Sequence, residues 1–282
     1  GGRMYVLGGY PASRISVRTV QVYDPSTDTW ALTTPLPVAL NHTVAASVGG
    51  RLYVIGGQEE AGGAGPFVDT VYAFDPATAT WSSRARMPTA RGGGAAAVVD
   101  GRIYVAGGRP PRGNDFAVYD PAGDTWTVLP PMPTQRNHLG AAAVDGRVYV
   151  VGGRFGAGFE SERTDRIEVF DPSTNRWSTG AAMPRPRGGV NVVNALDCLH
   201  VFGGEGDAGT PTGVFPDHDV YDPASDAWTR LSAMPTPVHG VTGAVFANSL
   251  IYLAGGGTAI GGSSGSTVHQ VYRPALQCRA PS

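Results

Sequence analysis

The sequence predicts an all-β fold built from repeated units, a β-propeller, and three observations support this prediction. Short runs rich in Val, Ile and Tyr alternate with turn residues, which is typical of strands joined by tight turns. The 282-residue chain contains 41 glycines and 23 prolines. One pattern recurs six times along the chain. A period of about 50 residues that holds four short strands indicates propeller blades.

The repeated unit is clearest at residues 51–81, which begin RLYVIGG and end VYAFDPATATW. Each copy has an apolar run closed by Gly-Gly, and later an aromatic residue before Asp-Pro. The aromatic residues are spaced by 51, 45, 51, 51 and 51 positions, and they are Tyr23, Phe74, Tyr119, Phe170, Tyr221 and Tyr272. Seven positions beyond the first five lie all five tryptophans, which are Trp30, Trp81, Trp126, Trp177 and Trp228. Met-Pro or Leu-Pro follows each tryptophan.

The third copy illustrates the four strands predicted for each unit. They read GGAAAVVD, RIYVAGG, FAVYDP and TWTVLPPMP. Asp100-Gly101 joins the first two, and this pair is a strong signal for a two-residue hairpin turn. Gly49-Gly50 and Asp145-Gly146 occupy the same place in other copies. The Asp-Pro corners suit turns because proline fixes φ and aspartate can accept a bond from the backbone that follows.

Gly-Gly, the later aromatic residue and the tryptophan seven positions beyond it resemble the kelch repeat. The resemblance covers nearly the whole chain. It implies a six-bladed kelch-type β-propeller with four-stranded antiparallel blades, in one domain that spans residues 1–282. The six copies are expected at about 1–37, 38–88, 89–133, 134–184, 185–235 and 236–282.

The first and last copies depart from the pattern. Gly1-Gly2-Arg3 matches the turn that enters a second strand, so we expect the first blade to be incomplete and to lack its innermost strand. The last copy has Arg273 in place of Asp and Arg279 at the tryptophan position, which predicts a vestigial fourth strand. These departures lead us to expect that the natural chain is longer at its N-terminus, or that a segment is missing.

Charge and composition limit the partners. The formal net charge is −2, which gives no general attraction to nucleic acid or to anionic membranes. No apolar run approaches the roughly 20 residues that cross a bilayer. All 21 basic residues are arginine, which excludes lysine Schiff-base chemistry in this chain and indicates a GC-rich bacterial origin. We expect a monomer or a part of a larger chain, and a secreted or periplasmic location is slightly favoured over the cytoplasm.

The copies differ most where one blade crosses to the next, just beyond Met-Pro, and directly after Gly-Gly. The length of the chain between Gly-Gly and the aromatic residue also varies, which predicts one face with long, variable loops. The crossing columns read Leu40, Arg91, Arg136, Arg187 and Val238, then Asn41, Gly92, Asn137, Gly188 and His239, then His42, Gly93, His138, Gly189 and Gly240. The residues after Gly-Gly are Tyr10, Gln58, Arg109, Arg154, Glu205 and Gly257.

These positions predict a ligand site around the central channel. In kelch proteins that bind peptides or small molecules, the resemblance implies that these columns supply the contacts. We expect Arg91, Arg136 and Arg187 to form a ring at the mouth, with Arg109 and Arg154 nearby and Asn41, Asn137, Tyr10 and Gln58 as further contacts. Guanidinium groups suit carboxylates and phosphates. Nearby loops add aromatic side chains, which are Phe67, Phe155, Phe159 and Phe215.

The favoured interpretation is a binding module for an anionic small molecule, a glycan or an acidic peptide. The alternative is a cofactor-free enzyme, such as a sugar-acid mutarotase, isomerase or cyclase. Such an enzyme needs only an acid and a base near the arginines, and the candidates are His42, His138, His239 and Glu205. A third interpretation is a structural domain of a multidomain protein. The sequence does not decide whether the chain is an enzyme.

No metal and no cofactor is expected. The copper site of kelch oxidases and the iron site of kelch nitrile-specifier proteins have no counterpart among these motifs. Asp217-His218-Asp219 resembles a set of metal ligands. The alternation of a strand, however, would place the two carboxylates on one side and His218 on the other.

The two cysteines, Cys198 and Cys278, are both expected on the face that carries the tight turns, in neighbouring blades. A disulfide between them and two free thiols are both compatible with the sequence.

Overall fold

A computed structural model describes residues 2–9, 11–59, 65–110, 113–156, 158–240, 245–247 and 249–278. These residues form 22 strands in six antiparallel sheets, and they contain no helix that is long and apolar enough to cross a membrane. Sheet 1 contains β1 (Met4–Leu7), β2 (Val20–Asp24) and β3 (Thr29–Leu32). Sheet 2 contains β4 (Val44–Val48), β5 (Arg51–Gln58), β6 (Phe67–Asp75) and β7 (Thr80–Arg84). Sheet 3 contains β8 (Ala95–Val99), β9 (Arg102–Ala106), β10 (Phe116–Asp120) and β11 (Thr125–Val128).

The second half of the chain repeats the arrangement. Sheet 4 contains β12 (Gly140–Val144), β13 (Arg147–Val151), β14 (Ile167–Asp171) and β15 (Arg176–Gly180). Sheet 5 contains β16 (Asn191–Ala195), β17 (Cys198–Phe202), β18 (His218–Asp222) and β19 (Ala227–Arg230). Sheet 6 contains β20 (Val245–Ala247), β21 (Leu250–Ala254) and β22 (His269–Tyr272). Within each sheet, every strand pairs with its neighbour along the chain, and the fold is an all-β propeller.

The two end sheets have three strands each among the described residues. Among the described residues, sheet 1 begins, as expected, with the strand that corresponds to the second strand of the other sheets. Sheet 6 ends at its third strand. The position of Arg279 lies outside the described residues. Sheet 6 packs against sheet 1, because the Tyr252 and Tyr23 rings lie 6.0 Å apart and Met4 and Ala254 join the same cluster.

The hairpin turns between the first two strands form as predicted. Both turn residues have positive φ, with 48° and 72° at Asp100 and Gly101 and with 47° and 69° at Asp145 and Gly146. Two residues with positive φ define the turn type that matches the twist of a hairpin. The Asp-Pro corners also form as expected, since Asp120 accepts a bond from the amide of Ala122 at 2.9 Å.

The Gly-Gly pair joins one sheet to the crossing that leads into the next sheet. The amide of Gly57 donates to the carbonyl of Arg91 at 2.9 Å, and Gly153 donates to Arg187 at 2.9 Å. The first glycine of the pair, Gly56, has a φ of 58°, and a Cβ atom there would lie 2.5 Å from the same Arg91 carbonyl. The pair is glycine because the next sheet approaches its backbone this closely.

The tryptophans hold neighbouring sheets together. Trp126 stacks on Tyr119 of its own sheet at 5.1 Å, and its indole N–H donates to the carbonyl of Ala85 in the preceding sheet at 2.9 Å. Asp124, two positions earlier, accepts from both the Tyr119 hydroxyl and the Ala85 amide, at 2.5 and 2.8 Å. The repeated aromatic residue, aspartate and tryptophan therefore form the contact between blades.

Cys198 and Cys278 form a disulfide, which resolves the alternative that the sequence leaves open. In the first four copies an arginine opens the second strand and pairs with the aspartate of its own Asp-Pro turn, as Arg147 does with Asp171 at 3.4 Å. Cys198 takes that place in the fifth copy. The bond carries the segment after β22 back to sheet 5, where Leu276 packs near Val220.

The disulfide predicts a stability effect. It closes a loop with a sequence separation of 80 residues, and loop entropy over that length corresponds to about 4 kcal/mol. Cys278→Ser is expected to lower the free energy of unfolding in urea by several kcal/mol. Reductant should destabilise the wild-type protein equally and leave the variant unchanged. Two titratable thiols in unreduced, denatured wild-type protein would contradict this assignment.

Candidate functional site at the channel mouth

The structure brings together the two sets of positions that the sequence singles out. Residues just after Gly-Gly form isolated β-bridges with the middle crossing column, and the pairs are Asn41–Gln58, Gly92–Arg109, Asn137–Arg154, Gly188–Glu205 and His239–Gly257. Tyr10 would belong to the same set but lies outside the described residues. The variable residues therefore surround one opening on the loop face.

The last crossing column forms a hydrogen-bonded collar around this opening. Five residues have φ between 51° and 76°, and they are His42, Gly93, His138, Gly189 and Gly240. Each of the last four donates its amide to the carbonyl of the member before it, over 2.9, 2.7, 2.7 and 2.9 Å. Residues other than glycine are uncommon at such φ values, so two histidines in an otherwise glycine position mark a functional candidate.

Both collar histidines are held in the same way. His138 Nδ1 lies 2.6 Å from the Asn137 side-chain oxygen, and His42 Nδ1 bonds to the equivalent oxygen of Asn41. Asn137 is anchored in turn by a bond from its amide nitrogen to the Gly156 carbonyl at 3.0 Å. Because the asparagine oxygens are acceptors, each Nδ1 carries the proton and each Nε2 is left as an acceptor.

The acceptor nitrogen of His138 faces an arginine. An Arg154 terminal nitrogen lies 3.0 Å from His138 Nε2. Burial, followed by the charges of Arg109 and Arg154, lowers the pKa of His42 to about 3. Burial and the Arg154 charge hold the pKa of His138 well below its ordinary value. Both imidazoles are therefore neutral at pH 7, and that of His138 orients the Arg154 guanidinium without adding charge.

Arg154 also bonds to an acidic residue. It donates to Glu205 at 2.5 Å, and both side chains are buried. The other oxygen of Glu205 accepts from the Gly261 amide at 3.1 Å and lies 3.4 Å from His239 Nδ1. His239 Nε2 lies 2.7 Å from the Ala259 carbonyl. His239 and Glu205 thus link the sixth and fifth copies and are enclosed by structural contacts.

The expected ring of Arg91, Arg136 and Arg187 is wrong, because these side chains point into the interior. Their exposed fractions are 2%, 1% and 0%. Arg136 donates to Glu168 at 2.5 Å and to the carbonyls of Gly152 and Val150. Arg187 donates to Asp219 at 2.6 Å and to the Gly203 carbonyl. Backbone carbonyls of the strands and buried acids accept hydrogen bonds from these guanidinium groups. The arginines therefore anchor each crossing to its sheet.

Arg91 differs from the other two because its sheet lacks the acid. Ala117 occupies the place of Glu168 and Asp219 in the third strand, and among the described residues Arg91 donates only to backbone carbonyls, which are those of Gly107, Val105 and Asp115. Burial lowers the pKa of Arg91 to about 10. Sequence reasoning overlooked these acidic partners, although an acid three positions before Asp-Pro in the fourth and fifth copies was a usable signal.

The other side chains that were predicted to contact a ligand lie near the collar, and they differ in burial and in hydrogen-bond partners. Gln58 is fully buried and donates to the Gly65 carbonyl at 2.8 Å, so it shapes the loop. Asn41 donates to Ser16 at 2.6 Å. Arg109 is half-buried, and its guanidinium carbon lies 5.7 Å from the centre of the Phe67 ring. Phe155 and Phe159 are 39% and 41% exposed, so they offer apolar surface on the loop face.

A cleft adjoins the mouth between the loops of the fourth and fifth copies. It has a volume of about 440 Å³, and it is lined by Glu162, Arg163, Arg185, Pro186, Gly206, Asp207 and Phe215. The Arg185 guanidinium lies 4.7 Å from the centre of the Phe215 ring and bonds to Asp207 at 3.3 Å. Arg163 forms a β-bridge with Arg154, so the cleft continues directly from the collar. Arg163 and Arg185 were missed because neither lies in the three crossing columns or directly after Gly-Gly.

Asp217, His218 and Asp219 do not form a metal site. The carboxylates bind arginines, with Asp217 on Arg185 at 3.2 Å and Asp219 on Arg187. His218 points the other way and lies 2.9 Å from Nδ1 of His200. Within the described ranges, no group of three or more His, Cys, Asp or Glu side chains is arranged to hold a metal ion.

Comparison with known proteins identifies the family. Residues 1–153 match the family described as the KLHDC2/KLHL20/DRC7 Kelch-repeats domain, and residues 135–184 match the Kelch motif. The chain belongs to the kelch-repeat family.

Named relatives are similar over most of the chain. It is 33% identical over 298 residues to "Kelch-like protein terF" of Aspergillus terreus, covering 98% of this chain and 63% of that protein. It is 26% identical to human "Kelch-like protein 23", covering 91% of this chain and 35% of that protein. The chain therefore spans less than two thirds of the length of these relatives. The bacterial origin stays a prediction.

A solved structure has the same fold. "Structure of YjhT" aligns with a TM-score of 0.77 over 96% of this chain and 95% of that chain, at 15% identity. At this identity the match supports the propeller fold alone.

The buried ion pair between Arg136 and Glu168 gives a prediction about stability. Glu168→Gln leaves the buried Arg136 without its counter-charge, so we expect a loss of about 3–5 kcal/mol in the free energy of unfolding. Asp171→Asn, which weakens the exposed pair with Arg147, should cost less than about 1 kcal/mol. Urea denaturation of both variants checks the difference. Equal, small losses would contradict a structural role for Arg136.

The collar histidines give a pH prediction. An unfolded histidine titrates near 6.5, and the folded pKa of His42 is about 3, so the unfolded chain binds the proton first as pH falls. The free energy of unfolding should therefore decrease as pH falls from about 6.5 towards 3, by at most about 1.4 kcal/mol per pH unit for each histidine. His42→Gly/His138→Gly should flatten this slope.

Glycine is the matched replacement because Gly93, Gly189 and Gly240 hold the same backbone conformation. At pH 7 we expect the double variant to be within about 1 kcal/mol of wild type, since relief of the positive φ offsets the lost side-chain bonds. Urea denaturation from pH 7 to pH 4 measures both quantities. A slope identical to that of wild type would show that these imidazoles are not buried as neutral groups.

Proposed function

We propose that this chain is a protein-interaction module that binds an acidic segment of a partner protein across the loop face. The observation that carries the proposal is the pair of Arg109 and Arg154 beside two neutral histidines in a strained backbone conformation. Glu205, Nε2 of His138 and the Asn137 oxygen hold Arg154 in place, so little conformational freedom is lost when a carboxylate binds beside Arg109 and Arg154.

The charge of the mouth favours an anion. Arg109 and Arg154 contribute two positive charges and Glu205 contributes one negative charge, while His42 and His138 stay neutral. A metal cation would have to displace two guanidinium groups, which disfavours it. A carboxylate can instead accept from guanidinium donors in a charge-assisted bond.

The shape of the surface favours an extended ligand over a small one. The mouth continues into the cleft beside Arg163 and Arg185, and exposed Phe155 and Phe159 lie on the loop between them. A footprint that joins cationic and aromatic side chains suits a peptide that carries acidic and apolar residues. An anionic small molecule or a glycan would fill only the mouth.

The enzymatic alternative is not favoured. His42 and His138 donate from Nδ1 to asparagine and accept at Nε2 beside arginine, and their low pKa values leave them poor bases. Glu205 is bound by Arg154 and Gly261, and His239 contacts Glu205 and Ala259. Hydrogen bonds or ion pairs within the protein therefore already engage every candidate acid and base.

We also propose that the six sheets act as the six blades of one ring. Four sheets have four strands, and the two three-stranded sheets pack together through Tyr23 and Tyr252. The same contact between a second-strand tyrosine and the aromatic residue of the next sheet recurs between Tyr53 and Tyr119, at 5.8 Å. This equivalence supports a six-bladed count.

An acidic probe tests the proposed function. A fluorescein-labelled oligoglutamate peptide should bind in an anisotropy titration, and oligoglutamine of the same length should not. Arg109→Gln/Arg154→Gln should weaken binding by about tenfold or more, since charge-assisted bonds are lost. Binding should also fall with added salt. Arg102→Gln, on the opposite face in an exposed pair with Asp120, is the matched control and should bind like wild type.

Two results would contradict the proposal. One is equal binding of oligoglutamate to the double variant and to wild type. The other is a thermal shift with glucuronate that depends on Arg109 and Arg154 while oligoglutamate fails to bind, which would make the mouth a small-molecule site.

A further inference from the structure

A cavity between sheets 4 and 5 takes no part in the proposed loop-face function. It has a volume of about 490 Å³. It lies at the end of the sheets that carries the Asp-Pro turns, because residues of two such turns border it. Three aromatic side chains, two carboxylates and one glycine belong to its lining, and they are Tyr149, Trp177, Tyr221, Asp171, Asp226 and Gly180. The cavity therefore combines aromatic and acidic groups.

Gly180 borders the cavity where the other sheets have a side chain. The position three residues beyond the tryptophan is occupied in the other copies by Thr33, Arg84, Leu129 and Leu231. Gly180 pairs with Ile167 in the same register in which Arg84 pairs with Val71. Gly180 does not have positive φ, so its backbone conformation is open to any residue. The missing side chain is thus what distinguishes sheet 4 at this position.

A tyrosine and an aspartate of sheet 5 face Gly180. A Cβ atom at Gly180 would lie 2.5 Å from the Tyr221 hydroxyl oxygen and 3.1 Å from Oδ1 of Asp226. The Tyr221 hydroxyl and the Ala181 amide both donate to this oxygen at 2.6 Å. Both donors are neutral, so these bonds bring no positive charge to the carboxylate.

The equivalent contact between sheets 2 and 3 includes a cation. Asp124 accepts from the Tyr119 hydroxyl and the Ala85 amide, just as Asp226 accepts from Tyr221 and Ala181. These two bonds, followed by the charge of Arg84, lower the pKa of Asp124. Arg84 therefore occupies the place that Gly180 leaves empty, close to the matching aspartate.

The other two contacts follow the same rule of charge. Where Leu129 precedes the contact, Asn175 stands at the aspartate position, and where Thr33 precedes it, Ala79 stands there. An uncharged residue thus accompanies an uncharged residue, and an aspartate accompanies an arginine. Asp226 departs from this rule because it faces a glycine and a cavity.

The cavity also has two arginines in its lining, and both are associated with Asp171. Nε of Arg147 lies 3.4 Å from an Asp171 oxygen, and Arg176 is the cross-strand partner of Asp171. The Asp171 side of the cavity is therefore already supplied with positive charge, whereas Asp226 is held by neutral groups. A cation that enters the cavity is attracted to Asp226.

We propose that this cavity binds an alkylguanidinium group, in the place that Arg84 fills between sheets 2 and 3. The guanidinium donates to the carboxylate of Asp226 and packs against Tyr149, Trp177 and Tyr221. Its source is an arginine side chain of a peptide or a free guanidine compound. This site is separate from the channel mouth.

The lining favours a guanidinium over an ammonium ion. A guanidinium is planar and more weakly hydrated than an ammonium, and it combines a bond to a carboxylate with packing on aromatic rings. The three aromatic side chains provide such surfaces beside Asp226.

A titration with matched peptides tests the site. The ¹⁵N-labelled 282-residue protein is titrated with Gly-Arg-Gly blocked at both ends, and the indole N–H signal of Trp177 is followed by NMR after assignment with Trp177→Phe. A saturable shift is expected. The same peptide with citrulline in place of arginine should bind about tenfold more weakly or worse, since it has the same shape without the charge.

Agmatine distinguishes the two sources of the guanidinium. Tighter binding of the arginine peptide than of agmatine would assign the site to a protein partner. Tighter binding of agmatine would assign it to a small guanidine compound.

Variants that copy other sheets locate the site. Asp226→Asn keeps an acceptor for Tyr221, as the residue at Asn175 does in the fourth copy, and should weaken binding of the arginine peptide by about tenfold or more. Asp124→Asn makes the same change beside Arg84 and should bind like wild type. Gly180→Arg should abolish binding, because the new side chain fills the cavity. Thermal unfolding checks that each variant is folded.

Four outcomes would overturn the site. They are no saturable shift of the Trp177 signal, equal binding of the arginine and citrulline peptides, and unchanged binding by Asp226→Asn or by Gly180→Arg. Asp226→Asn should still bind oligoglutamate like wild type, because that binding depends on Arg109 and Arg154. Failure of either proposal is therefore seen independently of the other.

Discussion

The hydrogen bond from the second glycine of each of the first five Gly-Gly pairs to the crossing carbonyl is the constraint on which the rest depends. Gly57, Gly108 and Gly153 each donate to a crossing residue of the next sheet, over 2.9–3.1 Å. This bond fixes where each crossing enters its innermost strand. It also brings the residue after Gly-Gly against the middle crossing column, so the scaffold itself creates the ring of variable positions around the channel.

Because this backbone bond fixes the shape of the repeat, the side chains around the channel can differ from copy to copy. The buried guanidinium groups of Arg136 and Arg187 secure the crossings from inside, where desolvation demands the acids Glu168 and Asp219. Only the next residues along the chain reach the opening. His42 and His138 adopt a backbone conformation that costs free energy for residues other than glycine. Such strain persists only where the surrounding structure holds the backbone in place.

Much of the fold could be predicted from the sequence, but only part of the site. The repeat period, the hairpin turns and the spacing of the tryptophans follow from the local sequence. The strands and the three-stranded first sheet could therefore be predicted. The direction of an arginine side chain could not be predicted, because a side chain at the start of a strand can point inward or outward. Arg136 points inward because Glu168 and two backbone carbonyls accept its hydrogen bonds there. The disulfide could not be decided from the sequence either, because Cys198 and Cys278 lie 80 positions apart and meet only when the segment after β22 folds back.

The tryptophan contact and the loop face use different chemistry. Asp124 and Trp126 bind the preceding sheet through the Ala85 amide and carbonyl, and the Tyr119 hydroxyl of their own sheet donates to the same aspartate. The indole bond is the constant part of this contact. Trp81 donates to the Thr34 carbonyl although Ala79 takes the place of the aspartate, and Trp177 donates to the Pro130 carbonyl where Asn175 takes that place. The scaffold contact therefore repeats along the chain, because it needs only one backbone carbonyl of the preceding sheet. The loop face differs, since the selectivity that we propose for it rests on charge and on histidines held neutral.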